Sequence, residues 1–224
     1  MNSRSALLFV YVTACTVLAV SRPASAAGGL AVTINGADGM PVSGAVVIAE
    51  PLQGGAPRAR AGQTVVMDQH NLMFVPDVLV VQTGTAVDFP NSDHVRHQVY
   101  SFSSAKKFEL ALYAGRPHAP IVFDKAGLVT LGCNIHDNML GYIWVTDSPW
   151  YGRSDAEGKL QLRELPAGQY RVHIWHALLG ESGPELEQRI NVADDQVAAA
   201  RFRLTHALRA PLRNHGADKQ WEDY

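Results

Sequence analysis

Apolar and polar residues alternate with period two along most of this chain, and Pro or Gly interrupts the alternation every ten residues or so. In a strand successive side chains point to opposite faces, so this pattern buries one face and wets the other. No long stretch shows the 3.6-residue period of an amphipathic helix, and short strands separated by turn residues read as an all-β sandwich or barrel. Strands are expected near 30–34 and 41–48, then near 64–67, 78–82, 86–89, 98–102, 108–113, 121–123, 128–133 and 142–146. Four more are expected near 160–163, 170–175, 186–192 and 200–204.

Composition narrows the class. With 224 residues, 47% of them hydrophobic and 18% charged, the chain can bury one large core or two small ones, which excludes disordered and collagen-like readings. A formal net charge of -2 supplies no basic field for a phosphate backbone, so nucleic acid is not an expected partner. Residues 1–26 have the three parts of a secretory signal: Arg4, the apolar run from Ala6 to Val20, and the small-residue site Ala24-Ser25-Ala26. That run is too short to span a bilayer. Export to the periplasm with cleavage after Ala26 is the expectation. A lipoprotein cleavage box at Val12-Thr13-Ala14-Cys15 is the lesser reading, because it leaves a very short apolar stretch before Cys15.

Cleavage would leave 17 basic against 21 acidic residues and a single cysteine, Cys133. A lone thiol in an oxidising compartment must be buried or liganded. Cys133 opens the run Cys133-Asn134-Ile135-His136-Asp137-Asn138-Met139, in which Cys, His and Met are spaced C-x2-H-x2-M between two apolar strands. A thiolate, an imidazole and a thioether form a soft ligand set, which selects copper over magnesium, calcium or manganese. A trigonal copper site needs a second imidazole from elsewhere. The segment 91–99 carries two, His94 and His97, the latter thirty-nine positions before His136.

The middle of the chain resembles a cupredoxin, the blue-copper family of plastocyanin, pseudoazurin and amicyanin. The motifs that carry this resemblance are Phe74-Val75-Pro76 at the start, Val80 to Asn91 leading to a histidine, and the Gly-led strand 127–132 ending on Cys133, all between about Thr64 and Thr146. The ligand loop has the short amicyanin-type spacing. The resemblance implies a Greek-key β-sandwich with one type 1 copper ion, His97, Cys133 and His136 as equatorial ligands, and Met139 as the axial ligand. Gln98-Val99 favours His97 over His94. Ile135 stands where the family usually has Pro, and Gln98 where it often has Asn. His70 reads as a polar loop residue, and His118, His173 and His176 have no ligand-spaced partners. The whole pattern also resembles bacterial proteins labelled methylamine utilization proteins, a label that implies a pathway.

Strand-turn-strand at 30–48, the Ser154 to Gly158 turn, and Leu165-Pro166-Ala167-Gly168-Gln169-Tyr170 are similar to the carboxypeptidase regulatory-like, or transthyretin-like, sandwich. In that family these pieces are close in sequence, whereas here the copper-type segment separates them. A hairpin alone is marginal. The expected organisation is therefore a signal at 1–26, a first part of this sandwich at 27–61, the cupredoxin insert at 62–148, the second part at 149–205 and a loose tail at 206–224. The turn-rich stretches 51–62 and 147–152 would be the crossings. The expected role is a single-electron carrier with a redox protein partner, soluble or in the membrane, and not an enzyme. A periplasmic copper carrier or store, or a copper-free binding module of the cell envelope, are the alternatives.

Overall fold

The computed structural model describes residues 27–57, 62–116, 119–136, 138–179 and 186–208. The expected signal, His118 and nearly all of the expected tail lie outside them. The fold is all-β, with one 3-10 turn at Ala177–Leu179, and among the described residues no helix is long and apolar enough to cross a membrane.

The chain begins with β1 (Gly28–Asn35) and β2 (Val46–Pro51). It continues through β3 (Thr64–Val66), β4 (Asp68–His70), β5 (Met73–Val75), β6 (Val78–Gln82), β7 (Thr85–Asp88) and β8 (His97–Ser101). Next come β9 (Phe108–Tyr113), β10 (Ile121–Phe123), β11 (Gly127–Gly132) and β12 (Leu140–Thr146). The last five are β13 (Tyr151–Arg153), β14 (Lys159–Leu165), β15 (Gly168–Trp175), β16 (Leu186–Val192) and β17 (Val197–Arg203).

Two sandwiches result. In the outer one, sheet β14-β1-β17 faces sheet β13-β2-β15-β16. Leu30, Val32 and Ile34 of β1 meet Val47 and Ala49 of β2 and Tyr170, Val172 and Ile174 of β15 between them. In the inner one, sheet β6-β12-β11-β8-β9 faces β10-β7-β3, with the β4-β5 hairpin at one end. Its core contains Phe89, Phe123, Val129, Leu131 and Ile143.

The sandwiches stack through strands buried on both faces. On β12, Ile143 and Val145 point into the inner core while Tyr142 and Trp144 point out of it. On β2, Val47 and Ala49 serve the outer core while Val46 and Ile48 point away from it. The outward residues meet, with Trp144 and Tyr142 packed on Trp175 at 5.4 and 5.1 Å between ring centres. This is why Leu140–Thr146 reads as an almost continuous apolar run rather than an alternating one. Gln82 ties the two crossings together, its buried amide donating to the carbonyls of Pro57 and Asp147.

Two local expectations are corrected. His70, read as a polar loop residue, ends β4 of the β4-β5 hairpin, whose two-residue turn Asn71-Leu72 contains no glycine to announce it. Both residues have positive φ, 54° and 59°. Residues 147–152, read as a crossing, include the start of β13, which pairs with β2 through Tyr151 and Gly152. A three-residue strand is too short to show a period.

Candidate metal centre

Three chain segments bring the site together. His97 opens β8, Cys133 follows the last residue of β11, and the loop to β12 carries His136 and Met139. Gly132 of β11 pairs with Tyr100 of β8, so the chain running on past Gly132 lies beside the start of β8. The strands approach closely there, because a Cβ on Gly132 would lie 2.7 Å from the Tyr100 ring. The loop then folds back on itself, Met139 N–H donating to the His136 carbonyl at 2.9 Å.

His97 Nδ1 lies 3.1 Å from His136 Nδ1 and 4.0 Å from Cys133 Sγ, and the two loop ligand atoms are 3.7 Å apart. The point equidistant from these atoms lies about 2.1 Å from each, which is a bond length to a first-row metal ion. Among the described residues this is the one cluster of three His, Cys, Asp or Glu side chains with ligand atoms close enough to hold an ion. A hydrogen bond between the two Nδ1 atoms would account for one side of the triangle only. The fit to a metal is thus geometric and chemical together: two imidazole nitrogens and a sulfur around one point.

His94, the alternative first histidine, lies exposed in the loop before β8, whereas His97 has no exposed surface. Cys133 is buried in the inner core, and Met139 is buried in the same apolar cluster. His136 is half-buried, and Ile135 beside it is 53% exposed, with Leu140 also at the surface. His173 and His176 lie far along the chain in the outer sandwich, where His173 faces Glu50 and His176 donates from Nε2 to the Ser43 carbonyl.

Burial alone would raise the Cys133 thiol, but the contact with His97 and the backbone N–H groups of Gln98 and Ile135 outweigh it and hold it below the ordinary thiol value. Gln98 N–H points at Sγ from 3.5 Å. Burial would likewise lower His97, yet its bonds to Cys133 and Asp93 raise it. His136 is lowered, first by burial and then by the charge of His97. The balance shifts Cys133 toward the thiolate, the form that ligates metals.

One neighbour escaped sequence reading. Asp93 Oδ2 is 2.7 Å from His97 Nε2, the ring nitrogen that faces away from Cys133. The only sequence signal was an acid four positions before the histidine, which in a loop carries no geometric meaning.

No family model matches the chain, and no curated protein matches it. Solved structures do resemble it. A copper-containing nitrite reductase from Thermus scotoductus is 27% identical over 43% of this chain, with a TM-score of 0.36, and the chain spans only 25% of that protein. A purple cupredoxin from Nitrosopumilus maritimus is 21% identical over 38% of this chain and 99% of its own, with a TM-score of 0.33. An amicyanin variant in its reduced state is 20% identical over 43% of this chain and 97% of its own, with a TM-score of 0.34.

Proposed function

We propose that the protein is an exported electron carrier whose inner sandwich is a cupredoxin domain holding one type 1 copper ion. The observation that carries this reading is the triangle of His97 Nδ1, His136 Nδ1 and Cys133 Sγ around a single point. Two imidazoles and a thiolate, with a methionine on the same loop, suit copper, because structural zinc sites take four strong N, S or O ligands and a thioether is not one of them. In this reading His97, Cys133 and His136 would hold the ion, and the thioether of Met139 would be a weaker fourth donor. Copper held there supplies a one-electron couple.

The chain's residues supply the rest. His97 opens β8 and Cys133 directly follows β11, so two ligands are anchored on paired, buried strands. Burial excludes water from Cys133, and the Gln98 N–H withdraws charge from its sulfur. His136 is the ligand nearest solvent, and exposed Ile135 and Leu140 surround it with the small apolar rim that suits a transient redox partner.

The outer sandwich, residues 27–61 with 149–205, is in this reading a carboxypeptidase regulatory-like domain into which residues 62–148 are inserted. Pairing of β1 with β14 and β17 and of β2 with β13 and β15 supports it. Residues 1–26 are the proposed export signal and the periplasm the proposed destination.

The test is the absorption spectrum of the Cu(II)-loaded protein. An intense visible thiolate-to-copper band that disappears in Cys133→Ser is the expected result. Tight Cu(I) binding with no such band and no reversible potential would replace electron transfer with copper carriage.

A further inference from the structure

A neutral imidazole carries one proton on one of two nitrogens, and only the other nitrogen can bind a metal. In His97 the two nitrogens have different surroundings. Nδ1 faces Cys133 and His136, while Nε2 lies 2.7 Å from Asp93 Oδ2. A carboxylate accepts hydrogen bonds and donates none, so it holds the proton on Nε2 and leaves the Nδ1 lone pair facing the site.

Asp93 is itself held. The Asn71 N–H donates to Oδ1 at 2.6 Å and the Leu72 N–H to Oδ2 at 3.0 Å, while Asp93's own N–H donates to Asn91 Oδ1 at 3.0 Å. The side chain is 11% exposed. The two N–H groups belong to the turn of the β4-β5 hairpin, whose residues both have positive φ. Asn tolerates that conformation, but for Leu72, whose Cβ crowds the following carbonyl, it is strained. One carboxylate thus satisfies a strained turn and a buried histidine at once.

We infer that Asp93 is a positioning residue for the metal centre: anchored by the Asn71-Leu72 turn, its carboxylate fixes the His97 tautomer and places a negative charge one ring away from the ion. The charge favours the more oxidised metal, so Asp93 raises Cu(II) affinity more than Cu(I) affinity and lowers the potential. The effect on potential rests on the copper reading above; the tautomer does not.

Long-range 1H–15N spectra of the imidazoles, recorded on metal-free and Cu(I)-loaded full-length protein at mildly alkaline pH, read the tautomer. Wild type should show His97 protonated at Nε2, and Asp93→Ala should show mixed tautomers in the metal-free protein. Cu(II) affinity should fall 10- to 100-fold in Asp93→Ala, as for other ligand-orienting carboxylates. Where Cu(II) affinity falls tenfold more than Cu(I) affinity, the potential rises by about 59 mV. Asp93→Asn keeps an acceptor oxygen without the charge, so it should retain the tautomer and still raise the potential. It decides the question if Asp93→Ala fails to fold. Asp93→Glu should restore part of the loss. His70→Ala removes the imidazole 3.9 Å from the other Asp93 oxygen and should leave the potential unchanged. An Asp93→Asn protein with wild-type potential, or a wild-type protein with His97 protonated at Nδ1, would overturn the inference. If wild type showed no blue band, the copper reading would fall, and the metal-free spectra would still decide the tautomer.

Discussion

The two sandwiches differ in how they use the chain. Strands β3 to β12 of the inner one come from a continuous stretch, and their partners lie within it. The outer one pairs β1 and β2, each an interior strand of its sheet, with partners more than a hundred residues away. Long separation is affordable because closure entropy rises only slowly with loop length, and because the insert is itself folded. Gln82 holds Pro57 and Asp147 to one side chain, which makes the insert a short bridge in space. The chemistry sits in the contiguous unit, whereas the discontinuous unit has cores and ion pairs but no comparable ligand cluster among the described residues.

The sharpest way to break this comparison is to separate the units. A fragment of residues 149–205 lacks an interior strand of each outer sheet, β1 and β2, and should show no cooperative unfolding in urea. A fragment of residues 62–148 keeps all the strands of its core and should fold and retain metal binding, though it exposes Tyr142 and Trp144. A cooperatively folded 149–205 fragment would show that β1 and β2 are dispensable.

The joint comes next. Trp175 is buried between the sandwiches against Trp144 and Tyr142. Trp175→Ala should cost about 3–5 kcal/mol of stability in urea titration, the range for large buried aromatics. If the two sandwiches were independent, it would shift one transition and leave the visible spectrum and its melting unchanged.

A smaller effect separates them by pH. Glu50 on β2 has its carboxyl lowered from 4.5 to about 2, chiefly by the hydrogen bond with His173, against the cost of burial, and further by Arg171. A carboxylate with a depressed folded pKa stabilises the fold fully above 4.5 and loses that contribution as pH falls toward about 2. The outer sandwich should weaken across this window, and Glu50→Gln should flatten the dependence in acid denaturation monitored by circular dichroism.

The smallest effect lies within the metal centre. If the proposed copper reading holds, Met139→Leu should keep copper and colour while raising the potential, since a weak donor to Cu(II) would be lost. Unchanged potential and spectrum in spectroelectrochemistry would make Met139 a core residue alone.

Local order was written plainly in the chain. Alternation at Lys159 to Leu162 and the apolar run at Leu140 to Thr146 each mark a strand, and the spacing of Cys133, His136 and Met139 puts them on one loop without any tertiary information. These signals are legible because period and spacing act over a few residues, where backbone geometry alone decides which side chains are neighbours. Gln98-Val99 already favoured His97 over His94, but the meeting of His97 with His136 and the hold of the Asn71-Leu72 turn on the Asp93 carboxylate were decided by segments that meet across gaps of twenty to forty residues. So was the double burial of β12 and β2, which follows from one sandwich packing on the other. Nothing local distinguishes an aspartate that will face a ligand's second nitrogen from one that will face water; only the packing that excludes water there makes the difference.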